Sequence, residues 1–123
     1  MKNIGGNLDA TIQIKASGVK NAIGERVNVW NSLGSVLGWL DYAYASIQNS
    51  VNQFDSRLQD TSHVFLCDYD LFKTASQGNA VTSTDSRLLI DGSIYEVLMI
   101  DDVMNLHEHL EIYLKYIGGG LGV

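Results

Sequence analysis

Short runs of alternating apolar and polar residues constrain the fold of this chain most, because they recur along most of its length. In the run "ATIQIKA", Ile12 and Ile14 fall on one face of a strand, since successive strand residues point to opposite faces. Asp91 and Gly92 separate two further β-type runs, and both residues accept the positive φ angles of a type I′ hairpin turn. Six or seven such runs at short intervals predict an all-β fold, a small sandwich or barrel.

The other predicted strands differ in pattern. Residues 64–67 are apolar throughout, which is typical of a central strand that is buried on both faces. Gly38 lies inside a long β-type run and is expected to mark a bend or a bulge. Residues 73–86 show neither period and are predicted to form a loop. The strands expected besides the first run and the hairpin lie within residues 26–31, 35–44, 62–70 and 109–117.

The length of 123 residues predicts a single domain, 1–123. We expect a core over about residues 11–117, a flexible N-terminal arm at 1–10 and a glycine-rich C-terminal tail at 118–123. The N-terminal sequence lacks the apolar stretch of a signal peptide, and no apolar run approaches the roughly 18 residues that span a bilayer. The chain is therefore expected to be made in the cytoplasm and to have no membrane partner.

The formal net charge is −6, and the eight lysine and arginine residues are scattered along the chain. Tight binding to a phosphate backbone needs clustered cations, so the composition argues against a nucleic-acid-binding protein of that kind. An acidic surface past which DNA slides is still compatible with this charge, since repulsion prevents sticking. A single cysteine excludes an internal disulfide.

Three parts of the sequence contain side chains that could be reactive, and none has the residues that its chemistry requires. His107 and His109 alternate along a strand and suggest a metal pair, but no third ligand follows from the spacing. Asp68 and Asp70 form a D-x-D pattern that supplies too few oxygen ligands for a hard cation, and a solvated strand end is the simpler interpretation. Cys67 lies in an apolar run, where burial raises the pKa of a thiol and lowers its reactivity. No catalytic residue, metal ligand or cofactor is predicted, and an enzyme is the least supported class.

One segment breaks the period of two. In residues 46–60, "SIQNSVNQFDSRLQD", the apolar side chains are four, three and four residues apart, which places them on one narrow face of a helix. Asparagine and serine are poor helix formers, so this helix needs a surface on which to pack, either its own barrel or a neighbouring subunit. The four apolar residues are Ile47, Val51, Phe54 and Leu58.

Most aromatic residues fall on predicted strands. Trp30 and Trp39 are expected to pack in the core, whereas tyrosines are common where one side of the ring is packed and the other meets a partner or water. Either the core or an interface is a possible place for these tyrosines, which are Tyr42, Tyr44, Tyr95, Tyr113 and Tyr116.

Four sequence blocks, in this order, resemble the head-tail joining proteins of long-tailed phages that infect Gram-positive bacteria, also called head closure or stopper proteins. The blocks are "AIGERVNVWNSL", "LGWLDYA", "DTSHVFLCDYD" and "RLLIDGSIYEVLMIDDVMNLHEHLEIYLKY", and they cover about residues 11–117. Where many relatives have an Arg-Tyr pair, this chain has the run from Cys67 to Asp70. The residues that match the family's motifs are Gly24, Glu25, Trp30, Ser62, His63, Arg87, Gly92, Tyr95 and Glu96.

The resemblance implies a small β-barrel of six to seven strands, with a long loop or short helix at about residues 43–61 inserted between strands. It implies a structural virion protein without a cofactor, whose copies form a homo-oligomeric ring, a hexamer or dodecamer. That ring would lie between the portal or adaptor ring on the head side and the tail terminator on the tail side, with packaged DNA in its channel. The inserted segment would gate the channel, and the residues implied at the gate or the subunit interface are Tyr44, Ile47, Val51, Phe54 and Leu58.

Two alternatives remain open at this point. A different head-tail or tail component, an adaptor or a tail terminator, fits the same pattern. A small β-barrel binding module that stacks a ligand on its aromatic side chains belongs to another class and would remain a monomer.

Overall fold

A computed structural model describes residues 4–20, 23–24, 26–42, 60–82 and 85–119. Six antiparallel strands close into a barrel in the spatial order β1-β2-β3-β6-β5-β4, with β1 and β4 pairing to complete the ring. This arrangement confirms the all-β prediction and the expected number of strands. The strands are β1 (Leu8–Lys20), β2 (Arg26–Tyr42), β3 (His63–Asp68), β4 (Ser86–Ile90), β5 (Ser93–Asp102) and β6 (His109–Gly119).

The core lies inside the barrel and is built by the alternating faces of these strands. Every second residue of β6 from Leu110 to Leu114 is buried, and Ser86, Leu88 and Ile90 repeat the pattern on β4. Within residues 64–67 of β3, Phe65 and Cys67 are fully buried, whereas Val64 and Leu66 on the other face are half-buried, so the prediction that this run is buried on both faces was wrong. A closed barrel has one interior, and strand residues of the opposite parity face outward.

The predicted hairpin is present between β4 and β5. Asp91 has φ 50° and Gly92 has φ 79°, so both central residues adopt the left-handed conformation that a type I′ turn requires. The pairing of Ile90 with Ser93 closes the turn directly.

β2 differs from the expectation, because two predicted strands form one strand of 17 residues. β2 pairs with β1 as far as Gly38 and with β3 from Gly38 to Tyr42, so one strand belongs to two parts of the barrel. Gly38 is not a bulge: it pairs in register with both Leu8 and Cys67. The irregularities in the β1–β2 ladder lie between Thr11 and Gln13 and between Ala16 and Val19.

A short helix, α1 (Tyr69–Ala75), occupies part of the predicted loop at 73–86. Phe72 and Ala75, three residues apart, are buried on one face of this helix, and its backbone lies against Gly34 of β2. A Cβ atom on Gly34 would come within 2.7 Å of the Ala75 carbonyl oxygen, so the close approach requires glycine. Seven residues are too few for a stable isolated helix, and the helix depends on this packing.

The barrel extends beyond the expected core at both ends. β1 begins at Leu8, inside the range assigned to a flexible arm, and β6 continues to Gly119, inside the range assigned to a tail. Asn7 donates its backbone N–H to the Gly38 carbonyl over 2.8 Å, so the chain is already bound to the barrel before β1 begins. None of the described helices is long and apolar enough to cross a membrane.

Candidate functional site

Four aromatic side chains cluster at one end of the barrel: Tyr42, His63, Tyr95 and Tyr116, here called the aromatic mouth. The His63 ring lies at its centre, 5.0 Å from the Tyr42 ring and 5.1 Å from the Tyr95 ring, the latter edge to face. Tyr95 and Tyr116 are also edge to face, with centroids 5.6 Å apart. Edge-to-face contacts at these distances are favourable for aromatic pairs, so the four rings stabilise one another.

Strand register brings these rings together. Tyr42 of β2 pairs with His63 of β3, and Tyr95 of β5 pairs with Tyr116 of β6. His63 lies two residues before the buried Phe65 and therefore points to the same inner side. The same spacing relates Tyr95 and Tyr116 to buried neighbours on their own strands, so the aromatic mouth is the outermost inward-facing layer of the barrel.

The mouth is open to solvent on one side. Tyr42 is 76% exposed and Tyr116 is 47% exposed, whereas Tyr95 is only 6% exposed. A pocket of about 250 Å³ opens there, lined by Leu40, Asp41, Tyr42, His63 and Tyr95. A packed inner side and an accessible outer side are what a tyrosine-rich contact surface requires.

Ser62 orients the central histidine. Its Oγ lies 2.9 Å from His63 Nδ1 and accepts the backbone N–H of Tyr116 over 2.7 Å. Nothing in the period of the strands predicted this role, because Ser62 precedes β3. The only sequence signal was the Ser-His pair among the motif residues.

The pKa of His63 lies below its usual value because burial among the rings disfavours the charged imidazolium, and the nearby Asp41 only partly opposes this effect. We expect stability that is present above pH ~6.5 to be lost as the pH falls through the lower folded-state pKa, since unfolding then takes up a proton. Urea denaturation at several pH values between 7.5 and 5.5 measures this loss. In His63→Gln the loss should be smaller than in the wild type, and equal pH slopes would contradict the assignment.

A second cluster lies on the outer face of the barrel, where the Arg87 guanidinium carbon is 4.1 Å from the Trp30 ring centroid. Arg87 Nε donates to Gln13 Oε1 over 2.7 Å, and Gln13 Nε2 donates to Ser32 Oγ over 3.0 Å. Strands β1, β2 and β4 are thus joined by side chains as well as by their ladders. A pocket of about 280 Å³ beside this stack is lined by Lys15, Trp30, Ser86, Arg87, Ile94, Glu96 and Ile117.

The described motif residues thus separate into two clusters and two turns. Trp30, Arg87 and Glu96 line the outer pocket, and Arg87 pairs directly across the ladder with Glu96. His63 and Tyr95 belong to the aromatic mouth. Gly92 occupies the hairpin turn, and Gly24, with φ 88°, occupies the connection between β1 and β2, whereas Glu25 lies outside the described residues.

The residues predicted at the channel gate, Tyr44, Ile47, Val51, Phe54 and Leu58, lie outside the described residues. Their place in the chain is nevertheless defined by the strands on either side. Residues 43–59 connect the end of β2 to the residues that lead into β3, and Tyr42 and His63 are direct cross-strand partners. The described residues on either side of the segment, Tyr42 and His63, therefore lie together at the aromatic mouth.

Both tryptophans lie outside the buried core, contrary to the expectation. Trp39 is 45% exposed and donates its ring N–H to the Ile4 carbonyl over 2.9 Å. Trp30 is half-buried beneath Arg87. The parity of β2 accounts for Trp39, because its neighbours Gly38 and Leu40 take the inner side of the barrel.

The candidate reactive residues have other surroundings than predicted. Asp68 is only 3% exposed rather than solvated, and both of its carboxylate oxygens accept the Ile4 N–H over 3.1 Å. His107 precedes β6 instead of lying on it, where it contacts the Asp102 carboxylate and stacks on Tyr69. Among the described residues, no three His, Cys, Asp or Glu side chains are placed to hold a metal ion.

The predicted burial of Cys67 is confirmed. The side chain is fully buried inside the barrel, and burial, with a smaller contribution from Asp68, raises the pKa of its thiol to about 12. The thiol is therefore protonated at neutral pH and acts as a small apolar group in the core.

In comparisons with known proteins, no family model matches this chain and no curated protein is significantly similar to it in sequence.

Proposed function

We propose that this chain is a structural ring component of a phage head-to-tail connector, the head closure protein that joins the portal or adaptor to the tail and gates the DNA channel. The observation that supports it best is the place where the described strands on either side of residues 43–59 meet. Tyr42 and His63 pair at the exposed aromatic end of the closed barrel. A barrel that holds both ends of one inserted segment at the same end suits a ring whose copies bring identical segments together around an axis.

The charge and the side chains support the same proposal. A net charge of −6 suits a channel through which DNA must pass without sticking. Most residues between Tyr42 and Asp60 are polar, and Ile47, Val51, Phe54 and Leu58 fall on one face of the predicted helix. Copies of such a segment can bury a narrow apolar stripe against one another, while their asparagine, glutamine and serine side chains keep that contact weak enough to open.

Deletion of residues 46–59 tests the gate. We expect the barrel to remain folded, because the six described strands and their ladders lie outside the deletion, and we expect rings to assemble. Particles carrying the deletion should lose packaged DNA, which is measured as the fraction of particles that retain a full genome. Retention of DNA by these particles, with the protein incorporated, would exclude a gate formed by this segment.

A matched pair of substitutions tests the helical face within that segment. Phe54→Asp places a charge on the predicted stripe, whereas Gln53→Asp places the same charge beside it. We expect Phe54→Asp to release more DNA than Gln53→Asp. Equal release would mean that the segment does not use this face.

A small binding module is the alternative from another class, and the pocket at the aromatic mouth favours it. Native mass spectrometry separates the two functions. A connector protein forms closed rings or associates with portal and adaptor rings, whereas a binding module stays monomeric and gains thermal stability when its ligand is added.

A further inference from the structure

Strands β1 and β2 continue beyond their pairings with β4 and β3 as a two-stranded ribbon, formed by Ala16–Lys20 and Arg26–Val29, and the outer edge of β2 stays free as far as Ser32. β4 pairs with β1 only from Ala10 to Ile14, and β3 pairs with β2 only from Gly38 to Tyr42. Within the part of the chain that the structure describes, no strand lies beside the outer edges of this ribbon. An isolated two-stranded ribbon is at best marginally stable in water, so these edges favour further pairing.

The backbone direction at the edge follows from one hydrogen bond. Lys15 donates its N–H to the Asp85 carbonyl over 2.8 Å, so the polar backbone groups of Lys15 point away from β2. In an antiparallel pair, the backbone N–H and C=O groups of two opposite residues either bond to each other or both point away from the partner strand. The residue opposite Lys15 is Trp30. The N–H and C=O of Trp30 therefore point away from β1, and by alternation those of Asn28 and Ser32 do the same.

The free edge of β2 ends at Ser32, and Trp30 at its centre is held in place. Beyond Ser32 the strand is covered, because α1 packs against Gly34 and Gln77 Nε2 donates to the Leu33 carbonyl over 3.1 Å. Trp30, in the middle of the edge, is held in place by the stacked Arg87 guanidinium. Because this part of the edge is already ordered, pairing with another strand costs little conformational entropy, which favours association.

The composition of this edge favours another copy of the chain. Residues 27–32 of this edge contain neither a charged residue nor a proline, the groups with which proteins usually protect an edge strand, and Arg26 at its end is cationic. Two chains with a net charge of −6 repel each other, and an edge without acidic residues is where they can approach with least repulsion. The ribbon also carries a second open edge, Ala16–Lys20 of β1, on its opposite side.

We propose that the free edge of β2 pairs with the outer β1 edge of the ribbon in a second copy of this chain. Two different edges of one ribbon give a head-to-tail contact, which passes from copy to copy and closes into a ring when the rotation permits. The ring itself rests on the proposed function. This edge-to-edge contact is the surface that joins neighbouring subunits within it.

Hydrogen exchange of single backbone amides tests the contact, and β2 supplies its own control. The chain is compared at low and high protein concentration, with the oligomeric state measured by native mass spectrometry. The amides of Trp30 and Ser32 should exchange at least about 100-fold more slowly in the associated form. The amides of Val29 and Asn31, which bond to β1, should be protected in both forms.

Two substitutions at one position separate the backbone from the side chain. Asn28→Pro removes an outward N–H and should weaken association at least about tenfold, whereas Asn28→Ala keeps the N–H and should leave association nearly unchanged. A chain that stays monomeric, or a Trp30 amide that exchanges equally fast in both forms, would overturn the proposed contact. Rings with a freely exchanging Trp30 amide would overturn it and leave head closure standing, since DNA retention tests that function separately.

Discussion

Replacing Gly38 by alanine is expected to destabilise the barrel by about 3 kcal/mol or more, a large share of the stability of a small domain. A Cβ atom at this position would lie 2.4 Å from the Phe65 ring and 2.5 Å from the Leu66 carbonyl oxygen. Gly38 is also the residue at which β2 pairs with both β1 and β3, so the strand cannot move away without disturbing two ladders. Urea denaturation of both proteins measures the difference in free energy of unfolding.

Gly118→Ala is the matched control for this substitution. A Cβ atom on Gly118 would have no neighbour within 4 Å, so we expect a change within about 0.5 kcal/mol. The double variant Gly38→Ala, Phe65→Leu should recover only part of the loss, because a smaller side chain relieves the ring contact and leaves the contact with the Leu66 carbonyl. A Gly38→Ala protein as stable as Gly118→Ala would show that the strands do not approach this closely.

Replacing Phe65 by alanine is expected to lower the free energy of unfolding by about 3–5 kcal/mol. Phe65 is fully buried and is the largest of the fully buried side chains in the described barrel. Its ring lies against Gly38, and the rigid strands around it cannot collapse into the space that alanine would leave. Thermal and urea denaturation measure the loss.

Leu71→Ala provides the comparison for Phe65→Ala. Leu71 lies on α1 and is 39% exposed, so its truncation leaves no closed cavity and should cost less than about 1 kcal/mol. Equal losses for the two substitutions would contradict a core centred inside the barrel.

These two substitutions affect the scaffold, whereas the proposed function depends on what the scaffold carries. The aromatic mouth lies at one end of the barrel, and the β1–β2 ribbon extends beyond the paired strands. In the proposed function these regions have different tasks: residues 43–59 close a channel, and the ribbon joins one subunit to the next. Variants at Asn28 and deletion of residues 46–59 should therefore give separable defects.

The sequence was sufficient for features that depend on neighbouring residues. Alternation along the chain identified the strands, and Asp91-Gly92 identified the hairpin, because side-chain direction and turn conformation are local properties. The apolar run around Cys67 predicted its burial for the same reason. The sequence gives no indication that the rings of the motif residues His63 and Tyr95 meet.

What only the tertiary structure decided is how distant residues pair. The merging of two predicted strands into β2, the packing of α1 on Gly34 and the burial of Asp68 beneath Ile4 depend on partners far away in the sequence. The stacking of Arg87 on Trp30 depends on the order and register in which β2, β1 and β4 pair. An alternating pattern determines which face of a strand is apolar, but the register between strands and the closure of the barrel arise from packing over the whole domain.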